Sequence, residues 1–394
     1  EPQLLRRARG YVPRPLSLPL PARRELLAVG AQHRNTVAFA RGRRAFLSQH
    51  LGGLDSVAAL AAHRGAAEDL ARLLDLQPAR VIHDAHPDYA STCMAQGRGL
   101  PTAAVPHHTA HVFAALAEHG IAPSEAVFAA AWDGTGLGDD GTLWGGELFR
   151  VGAGRVRRTG CLRPFRLPGG EGAIRFPYRT ALAVLRLLDD PGEGLPALAA
   201  CPTEERRPLA RLLETGLRSP QTTSAGRLFD AVASLLGLCQ AVSFDGEAAQ
   251  QLQFAAERAL ERREAVPAAA VRLRPGSPAV IDWAPALRSM LTAYRDGASA
   301  GACALAFHRA LGRGLAAGFG SAADSAIHKV LLTGGCFQNR LLAEAAATAL
   351  EERGYEVLLA RRVPANDGGI ALGQLWAAVY GESAATGGED SPCA

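Results

Sequence analysis

The order of strands and helices in this chain occurs twice, and this repeat constrains the fold more than any other feature. Residues 26–53 read as two or three short strands, and alternating strand and helix patterns follow them to residue 118. A second strand group begins near residue 126, and strand–helix alternation returns before the chain ends. The pattern predicts a duplicated α/β protein that binds ligands at the carboxyl ends of its strands.

Composition divides the chain into four segments. Residues 1–22 are rich in Pro and Arg and predict an extended arm, either a linker or the end of an upstream domain. Residues 23–125 hold the first repeat and residues 126–380 the second, with a mostly helical insertion at about 173–320. Residues 381–394 are polar, so we expect a disordered tail. With Glu1 first and no signal-peptide pattern, the chain reads as a fragment.

Several classes of protein are excluded by composition. Lys329 is the only lysine and lies outside any glycine-rich loop, which excludes a Walker A motif. The 42 Lys and Arg residues exceed the 38 Asp and Glu residues by four, too few to predict nucleic-acid binding. No apolar run reaches the ~18 residues of a membrane span. Seven cysteines without a CxxC pair argue against a zinc ribbon or disulfide framework and favour a reducing cytoplasm.

Two histidines four residues apart, His107 and His111, form the first candidate functional pair. If a helix begins near His107, both imidazoles lie on one helix face about one turn apart, where they could bind one metal ion. The alternative is a polar helix start at the surface. The pair lacks the glutamate of the HExxH motif, which argues against a zinc protease.

Glycine-rich turns supply three more candidates. Residues 133–136 read Asp-Gly-Thr-Gly after an apolar strand, and their backbone N–H groups could cradle a phosphate; a tight hairpin is the alternative. Gly334 and Gly335 open a predicted helix whose N-terminus favours a phosphate. Asp367 begins an Asp-Gly-Gly turn and either caps a helix or completes the metal site.

The donor set and one further aspartate refine these candidates. Two neutral imidazoles and two carboxylates would form a neutral divalent site suited to Fe(II), Zn or Mn. Asp230 lies in the first turn of a predicted apolar helix. It could bind ribose hydroxyls or only favour the helix dipole.

Eight longer strings resemble, in order, the C-terminal half of the HypF family, the carbamoyltransferases of nickel–iron hydrogenase maturation. They are RRARGYVPRPL, NTVAFARGRRAFLSQHLG, HDAHPDYAST, VPHHTAH, WDGTGLGDDGTLWGGE, TSAGRLFDAVA, LLTGGCFQNRLL and NDGGIALGQ, and they span Arg6 to Gln374. The resemblance implies a duplicated two-lobed fold of the acetate/sugar kinase–Hsp70–actin type with a central nucleotide cleft. Residues 23–125 and 126–380 would be the two lobes, and residues 1–22 the remnant of an upstream YrdC-type domain.

The resemblance also implies a reaction and a site. A carbamoyl group, activated with ATP as carbamoyl adenylate, would pass to the C-terminal cysteine thiol of the partner HypE, as a step in cyanide ligand synthesis. His107, His111 and Asp133 would be catalytic and, with Asp367, would bind a divalent metal, Fe or Zn. The adenylate would be held by Gly134, Thr135, Gly136, Gly226, Asp230, Gly334, Gly335, Asn339 and Asn366.

Several residues depart from the family pattern, Gly172 and Phe176 among them, and two other functions stay open. Gly172 stands where the family usually has Lys, and Phe176 where it usually has Glu. One alternative is an O-carbamoyltransferase acting on a small hydroxyl substrate. The other is a non-enzymatic, nucleotide-gated scaffold resembling Hsp70, which would not need the His and Asp residues. Of these functions, the resemblance favours a metal-assisted carbamoyltransferase with a protein thiol as acceptor.

Overall fold

The chain folds into two α/β lobes, seen in a computed structural model that describes residues 2–122, 124–152, 155–321, 324 and 326–386. The described part of the first lobe contains four strands and three helices. They are β1 (Leu16–Ala28), β2 (Ala38–Leu47), α1 (Val57–Leu74), β3 (Arg80–Asp84), α2 (Ala90–Gln96), β4 (Thr102–Val105) and α3 (His107–Glu118). The predicted alternation of strands and helices is confirmed for this part of the chain, except that β1 begins at Leu16 rather than near residue 26.

The first-lobe sheet includes part of the predicted arm. Its strand order is β2-β1-β3-β4, with β1 antiparallel to β2 and the other neighbours parallel. β1 begins at Leu16, so residues 16–22 belong to the sheet rather than to an arm. Pro19 and Pro21 lie where the register with β2 is irregular and before β3 pairs with β1, so their missing N–H groups break no regular ladder.

Within the residues that the structure describes, the second lobe contains nine strands and ten helices. They are β5 (Val127–Leu137), β6 (Leu143–Gly152), β7 (Arg155–Leu162), β8 (Phe165–Arg166), α4 (Glu171–Arg175), α5 (Pro177–Leu187), α6 (Pro196–Ala200), α7 (Thr203–Thr215), β9 (Gln221–Thr222), α8 (Ala225–Leu235), α9 (Glu247–Glu261), β10 (Arg272–Arg274), β11 (Ala279–Asp282), α10 (Ala284–Arg295), α11 (Ala300–Ser321), β12 (Lys329–Thr333), α12 (Arg340–Glu351), β13 (Glu356–Leu359) and α13 (Ile370–Thr386). Short 3-10 turns cover Gly335–Gln338 and Asp367–Gly369.

The two sheets repeat one strand order, which confirms the duplicated, two-lobed fold predicted from the sequence. The second sheet has the order β10-β11-β7-β6-β5-β12-β13. In both lobes the first strand pairs antiparallel with the next strand and parallel with a strand that arrives later: β1 with β2 and β3, and β5 with β6 and β12. The predicted insertion is not purely helical, because β10 and β11 extend the second sheet.

Helix α13 joins the two lobes. It packs against α3 and against β1, β2 and β3 of the first lobe, although it lies at the end of the second repeat in sequence. Gly373 of α13 lies directly on the Ala110 carbonyl of α3, where a side chain would overlap it. α13 continues to Thr386, so residues 381–386 of the predicted disordered tail are helical; residues 387–394 lie outside the described residues.

Helix α3 is buried between the two lobes, which gives its first turn access to the cleft. Its residues pack in one apolar cluster with Ala129 and Ala131 of β5, Leu331 of β12 and Leu375 of α13. A second cluster fills the space between the large sheet and helices α5, α8 and α11. None of the described helices is both long and apolar enough to cross a membrane.

Candidate metal and nucleotide site

The first turn of α3 presents the two predicted histidines to the cleft. The helix begins at His107, directly after Pro106, so the predicted helix start is correct. His107 and His111 are one turn apart and both are buried. His108 points elsewhere: its Nε2 lies 4.0 Å from the Glu147 Oε2 atom. The alternative of a solvent-exposed polar helix start is therefore wrong.

Four side chains predicted as metal ligands lie together in the structure. We call His107, His111, Asp133 and Asp367 the His–Asp cluster; one ligand atom from each lies within 4.8 Å of all the others. The His111 Nε2 atom is 3.1 Å from Asp133 Oδ2 and 3.6 Å from Asp367 Oδ1. The His107 Nε2 atom is 3.4 Å from Asp133 Oδ2. Ligand atoms at these distances could all coordinate one metal ion.

Asp84, which the sequence analysis did not select, orients His107. It ends β3, and its Oδ2 atom lies 2.8 Å from the Nδ1 atom of His107, with both side chains buried. A proton on Nδ1 donated to this carboxylate leaves the Nε2 lone pair facing the cluster. β3 and β4 are parallel, so both strands end at the same edge of the sheet, and α3 begins just after β4. A polar residue at the end of β3 could therefore have been recognised from the sequence as a neighbour of His107.

An unsatisfied nitrogen tests whether the cluster fits a metal ion. The His107 Nε2 atom is buried and has no hydrogen-bond partner among the described residues. Buried polar atoms are rarely left unpaired, and an imidazole held by a carboxylate through its other nitrogen is typical of metal ligands. The His–Asp cluster therefore fits a divalent ion with nitrogen and oxygen ligands.

The charges within the cluster support the same reading. Burial alone would lower the pKa of His107, but the nearby carboxylates of Asp84, Asp133 and Asp367 raise it well above its usual range. Burial alone would raise the pKa of Asp133, yet the two imidazoles hold it well below its usual range. Ionised carboxylates facing imidazole nitrogens create a buried site that favours a cation.

A cavity of about 970 Å³ adjoins the cluster and receives most of the predicted nucleotide-binding residues. Those that line it are Gly134, Thr135, Gly226, Asp230, Gly335 and Asn339, together with Asp133 and Asp367. Gly136, Gly334 and Asn366 are not part of the cavity wall. A side chain at Gly136 would come within 2.7 Å of His108 and 2.8 Å of His107. Asn366 instead accepts a hydrogen bond from Gly368 N and donates one to the Leu5 carbonyl.

The turn after β12 differs from the prediction. Gly334 and Gly335 do not open an α-helix; they lead into the 3-10 turn, and α12 starts at Arg340. The Gly335 N–H donates to Asp133 Oδ1 at 3.0 Å, so it orients a cluster side chain. Asn339 caps α12 and its amide lies 2.9 Å from His308 Nε2. Gly335 and Asn339 therefore line the cavity and Gly334 does not, and their phosphate and nucleotide roles stay predictions.

The start of α8 lies directly against the loop that follows Asp133. Ser224 caps α8, and its hydroxyl donates to the Asp133 carbonyl at 3.1 Å. A side chain at Gly226 would come within 3.0 Å of the Gly134 Cα atom. Burial raises the pKa of Asp230 to about 6, while the nearby guanidinium of Arg227 opposes the shift. These contacts join two predicted nucleotide segments into one wall.

Arginines that the sequence analysis did not select also line the cavity. Arg34, between β1 and β2, lies 2.7 Å from the Asp245 carboxylate, between α8 and α9. Arg227 lies 3.1 Å from Asp230 and 3.7 Å from Asp245. No local motif marks these residues, because the cavity brings together segments that are far apart in sequence. Two guanidinium groups beside glycine-rich turns can neutralise a bound phosphate.

The fold and the site together define a class. Two duplicated α/β lobes enclose a cavity walled by glycine turns, as in the acetate/sugar kinase–Hsp70–actin class, and a His–Asp cluster lies at its base.

Comparisons with known proteins specify the family. Residues 129–374 match a family model described as the carbamoyltransferase Kae1-like domain, second subdomain, and residues 21–118 match the HypF Kae1-like domain. The chain is 38% identical over 395 residues to carbamoyltransferase HypF of Synechocystis, covering 96% of this chain and 50% of that protein. It is 36% identical over 389 residues to the carbamoyltransferase HypF homolog of Cupriavidus necator, covering 94% and 96%. The chain therefore belongs to the HypF carbamoyltransferase family.

Solved structures agree with this assignment. A crystal structure of full-length HypF in the phosphate- and nucleotide-bound form has a TM-score of 0.88 and 33% identity. It is matched over 96% of this chain and 49% of its own length. HypF of T. kodakarensis has a TM-score of 0.86 and 26% identity, over 97% and 50%. The chain thus spans about half the length of these HypF proteins.

Proposed function

We propose that this chain transfers a carbamoyl group from carbamoyl adenylate to the C-terminal cysteine thiol of a HypE-type acceptor protein. The observation that carries the proposal is the His–Asp cluster at the base of a nucleotide-sized cavity. A nucleotide-gated scaffold has no use for four converging metal ligands beside its cleft. The cavity's volume of about 970 Å³ is at the upper end of the range for small-molecule sites, ~300–1,000 Å³.

A divalent metal, Fe or Zn, would be held by His107, His111, Asp133 and Asp367. When bound there, it would supply Lewis-acid stabilisation of negative charge on the carbamoyl or phosphate oxygens. Asp84 keeps the His107 Nε2 atom free for coordination, and Gly335 N–H holds Asp133 in place. The protein thus orients its ligands before any ion or substrate arrives.

The adenylate would lie along the wall formed by residues 134–135 and the start of α8. Gly134 has an open face, since an added side chain there would meet nothing closer than the Arg227 guanidinium at 3.9 Å. A phosphate can therefore approach the backbone N–H groups closely. Arg34 and Arg227 can balance the charge that develops on the departing AMP phosphate.

The transfer step balances without a nucleophile from this chain. The acceptor thiolate sulfur attacks the carbamoyl carbon, a C–S bond forms, and the bond from that carbon to the AMP phosphate oxygen breaks. AMP leaves with the bonding electron pair, and the thiol proton goes to solvent. Cys336 lines the cavity, but burial raises the pKa of its thiol well above the usual range, which disfavours a nucleophilic thiolate.

Carbamoyl transfer is tested by mass spectrometry. The 394-residue chain, loaded with Fe(II) or Zn(II), is incubated with preformed carbamoyl adenylate and a peptide ending in Cys. We expect one added carbamoyl group on the peptide, and none with His107→Ala. His119→Gln is the matched control, because His119 bonds the Leu359 carbonyl outside the cluster. The same peptide ending in Ser tests for hydroxyl acceptors.

The outcomes separate the three functions. Transfer to the Ser peptide but not the Cys peptide would favour an O-carbamoyltransferase and contradict the thiol acceptor. No transfer to either peptide, with a metal content that His107→Ala leaves unchanged, would favour a scaffold. The chain should also catalyse little carbamoyl-phosphate-dependent ATP–pyrophosphate exchange, because the adenylating domain is expected upstream of it; robust exchange would contradict that division of labour.

A further inference from the structure

Glu147 is a fully buried carboxylate that the proposed reaction does not use. It lies on β6 with no exposed surface and does not line the cavity. Its Oε2 atom accepts hydrogen bonds from the N–H groups of Gly145 and Gly146, both at 2.6 Å. Its Oε1 atom accepts from Arg158 Nη2 at 3.0 Å and from the Thr223 hydroxyl. Four donors therefore compensate for the burial of its charge.

These donors come from three separate segments of the second lobe. Gly145 and Gly146 belong to β6, Arg158 to β7, and Thr223 to the connection between β9 and α8. Thr223 directly precedes Ser224, which caps α8 and donates to the carbonyls of Asp133 and Gly134. A chain of hydrogen bonds thus runs from Glu147 through this connection to the cavity wall.

The backbones in this region touch without intervening side chains. A side chain at Gly145 would come within 2.7 Å of the Asp133 carbonyl and 3.0 Å of Ser224 Cα. One at Gly226 would come within 3.0 Å of Gly134 Cα. Close-packed backbone transmits small displacements, so a shift at Glu147 reaches the wall that Gly134 and Gly226 present to the cavity.

We propose that Glu147 is a positioning residue for the nucleotide. It holds the β6 backbone and Thr223 so that the loop after Asp133 and the start of α8 form one continuous phosphate-binding wall. The proposal rests on the proposed nucleotide role of the cavity. It adds a residue outside the cavity that determines how well the wall fits a phosphate.

The test compares nucleotide affinity with stability in the metal-loaded full chain. Glu147→Gln replaces one oxygen with an amide that faces donors, and Thr223→Val removes the hydroxyl; Thr223→Ser keeps it as a matched control. AMP binding is measured by calorimetry, alongside melting temperature and bound metal. We expect Glu147→Gln and Thr223→Val to raise the Kd for AMP roughly tenfold, the effect of about 1.4 kcal/mol. Thr223→Ser should stay near wild type.

The competing outcomes are distinct. A carboxylate that only stabilises the fold would lower the melting temperature of Glu147→Gln and leave the Kd for AMP unchanged, which would overturn the proposal. If Glu147→Gln fails to fold, the Thr223→Val and Thr223→Ser pair decides, and equal affinities would refute positioning. Bound metal should not change, since none of the four cluster side chains forms a hydrogen bond with Glu147. Wild-type protein that binds no AMP would overturn the nucleotide role and this proposal together.

Discussion

Replacing Asp84 with Asn tests whether the His–Asp cluster is a metal site. The Asp84 carboxylate uses Oδ2 for His107 Nδ1, at 2.8 Å, and Oδ1 for the backbone N–H of His86, at 2.9 Å. An Asn of the same shape keeps the bond to His86 only if its amide NH₂ faces His107. His107 Nδ1 must then accept a hydrogen bond, which moves the ring proton to Nε2 and removes the lone pair from the cluster.

The expected loss follows from that change of tautomer. Removing a carboxylate that orients a metal-bound histidine costs about 10–100-fold in metal affinity, or about 1.4–2.8 kcal/mol. Asp84→Asn should reach the upper end of this range, because it holds His107 in the wrong tautomer. Asp84→Ala should lose less metal affinity, since a water molecule can still accept a hydrogen bond from His107 Nδ1–H. The order of the two variants is therefore part of the prediction.

Competition against a chelator of known affinity gives the dissociation constants for Fe(II) and Zn(II). Asp282→Asn is the matched control, because Asp282 is an equally buried carboxylate that instead pairs with Arg163 and Arg274. It should lower stability and leave metal affinity unchanged. Asp84→Asn with wild-type metal affinity, or Asp84→Ala losing more than Asp84→Asn, would refute the argument from the tautomer.

Three further predictions concern the cavity and the His–Asp cluster beside it. Gly136→Ala places a methyl group against the imidazoles that open α3, at 2.7 and 2.8 Å, and should cost about 1–3 kcal/mol and lower metal affinity; Gly65→Ala, a helical glycine with open space around it, should show neither effect. Burial raises the folded-state pKa of Asp230 to about 6 from the usual 3.8, so the folded chain binds this proton more tightly than the unfolded chain. The contribution of Asp230 to the free energy of unfolding should therefore fall by about 2 kcal/mol as the pH rises from about 4 to about 6, and this fall is read as the difference between urea titrations of the wild type and of Asp230→Asn. Iodoacetamide at pH 7.5 should label the exposed Cys93 well before Cys336, whose thiol pKa burial raises; equal rates on peptide mapping would contradict a protonated Cys336.

The duplicated fold could be predicted because its signals are local. Alternating apolar residues, glycine turns and helical periodicity mark each element within a few residues of sequence. The start of β1 was missed because Pro19 and Pro21 suggest an extended arm. A strand accepts proline only where the regular hydrogen-bond ladder is absent. Whether the ladder is absent at Pro19 and Pro21 depends on how β2 and β3 pair with β1, and residues 16–22 alone do not reveal this pairing.

The same distinction holds for the site: residues close in sequence could be predicted to act together, whereas contacts between distant segments could not. Helical spacing alone pairs His107 with His111, and the turn that begins at Asp367 allowed either a helix cap or a metal ligand. The family resemblance implied the full set with Asp133, and the structure brings all four side chains together. Asp84, Arg34 and Asp245 were missed because each acts through a partner from another segment. Gly136 was assigned to the nucleotide because it belongs to a glycine-rich motif. In the structure, its missing side chain leaves room for His107 and His108 at the start of α3, and the motif alone does not show which neighbour occupies that room.

Asp133 explains why the metal and nucleotide sites occur together. Its Oδ2 atom faces His107 and His111, its Oδ1 atom accepts the Gly335 N–H, and its carbonyl accepts the Ser224 hydroxyl at the start of α8. The histidines come from the first repeat, and every other partner comes from the second. The site therefore exists only where the two lobes meet, since neither repeat alone contains both the ligands and the phosphate-binding wall.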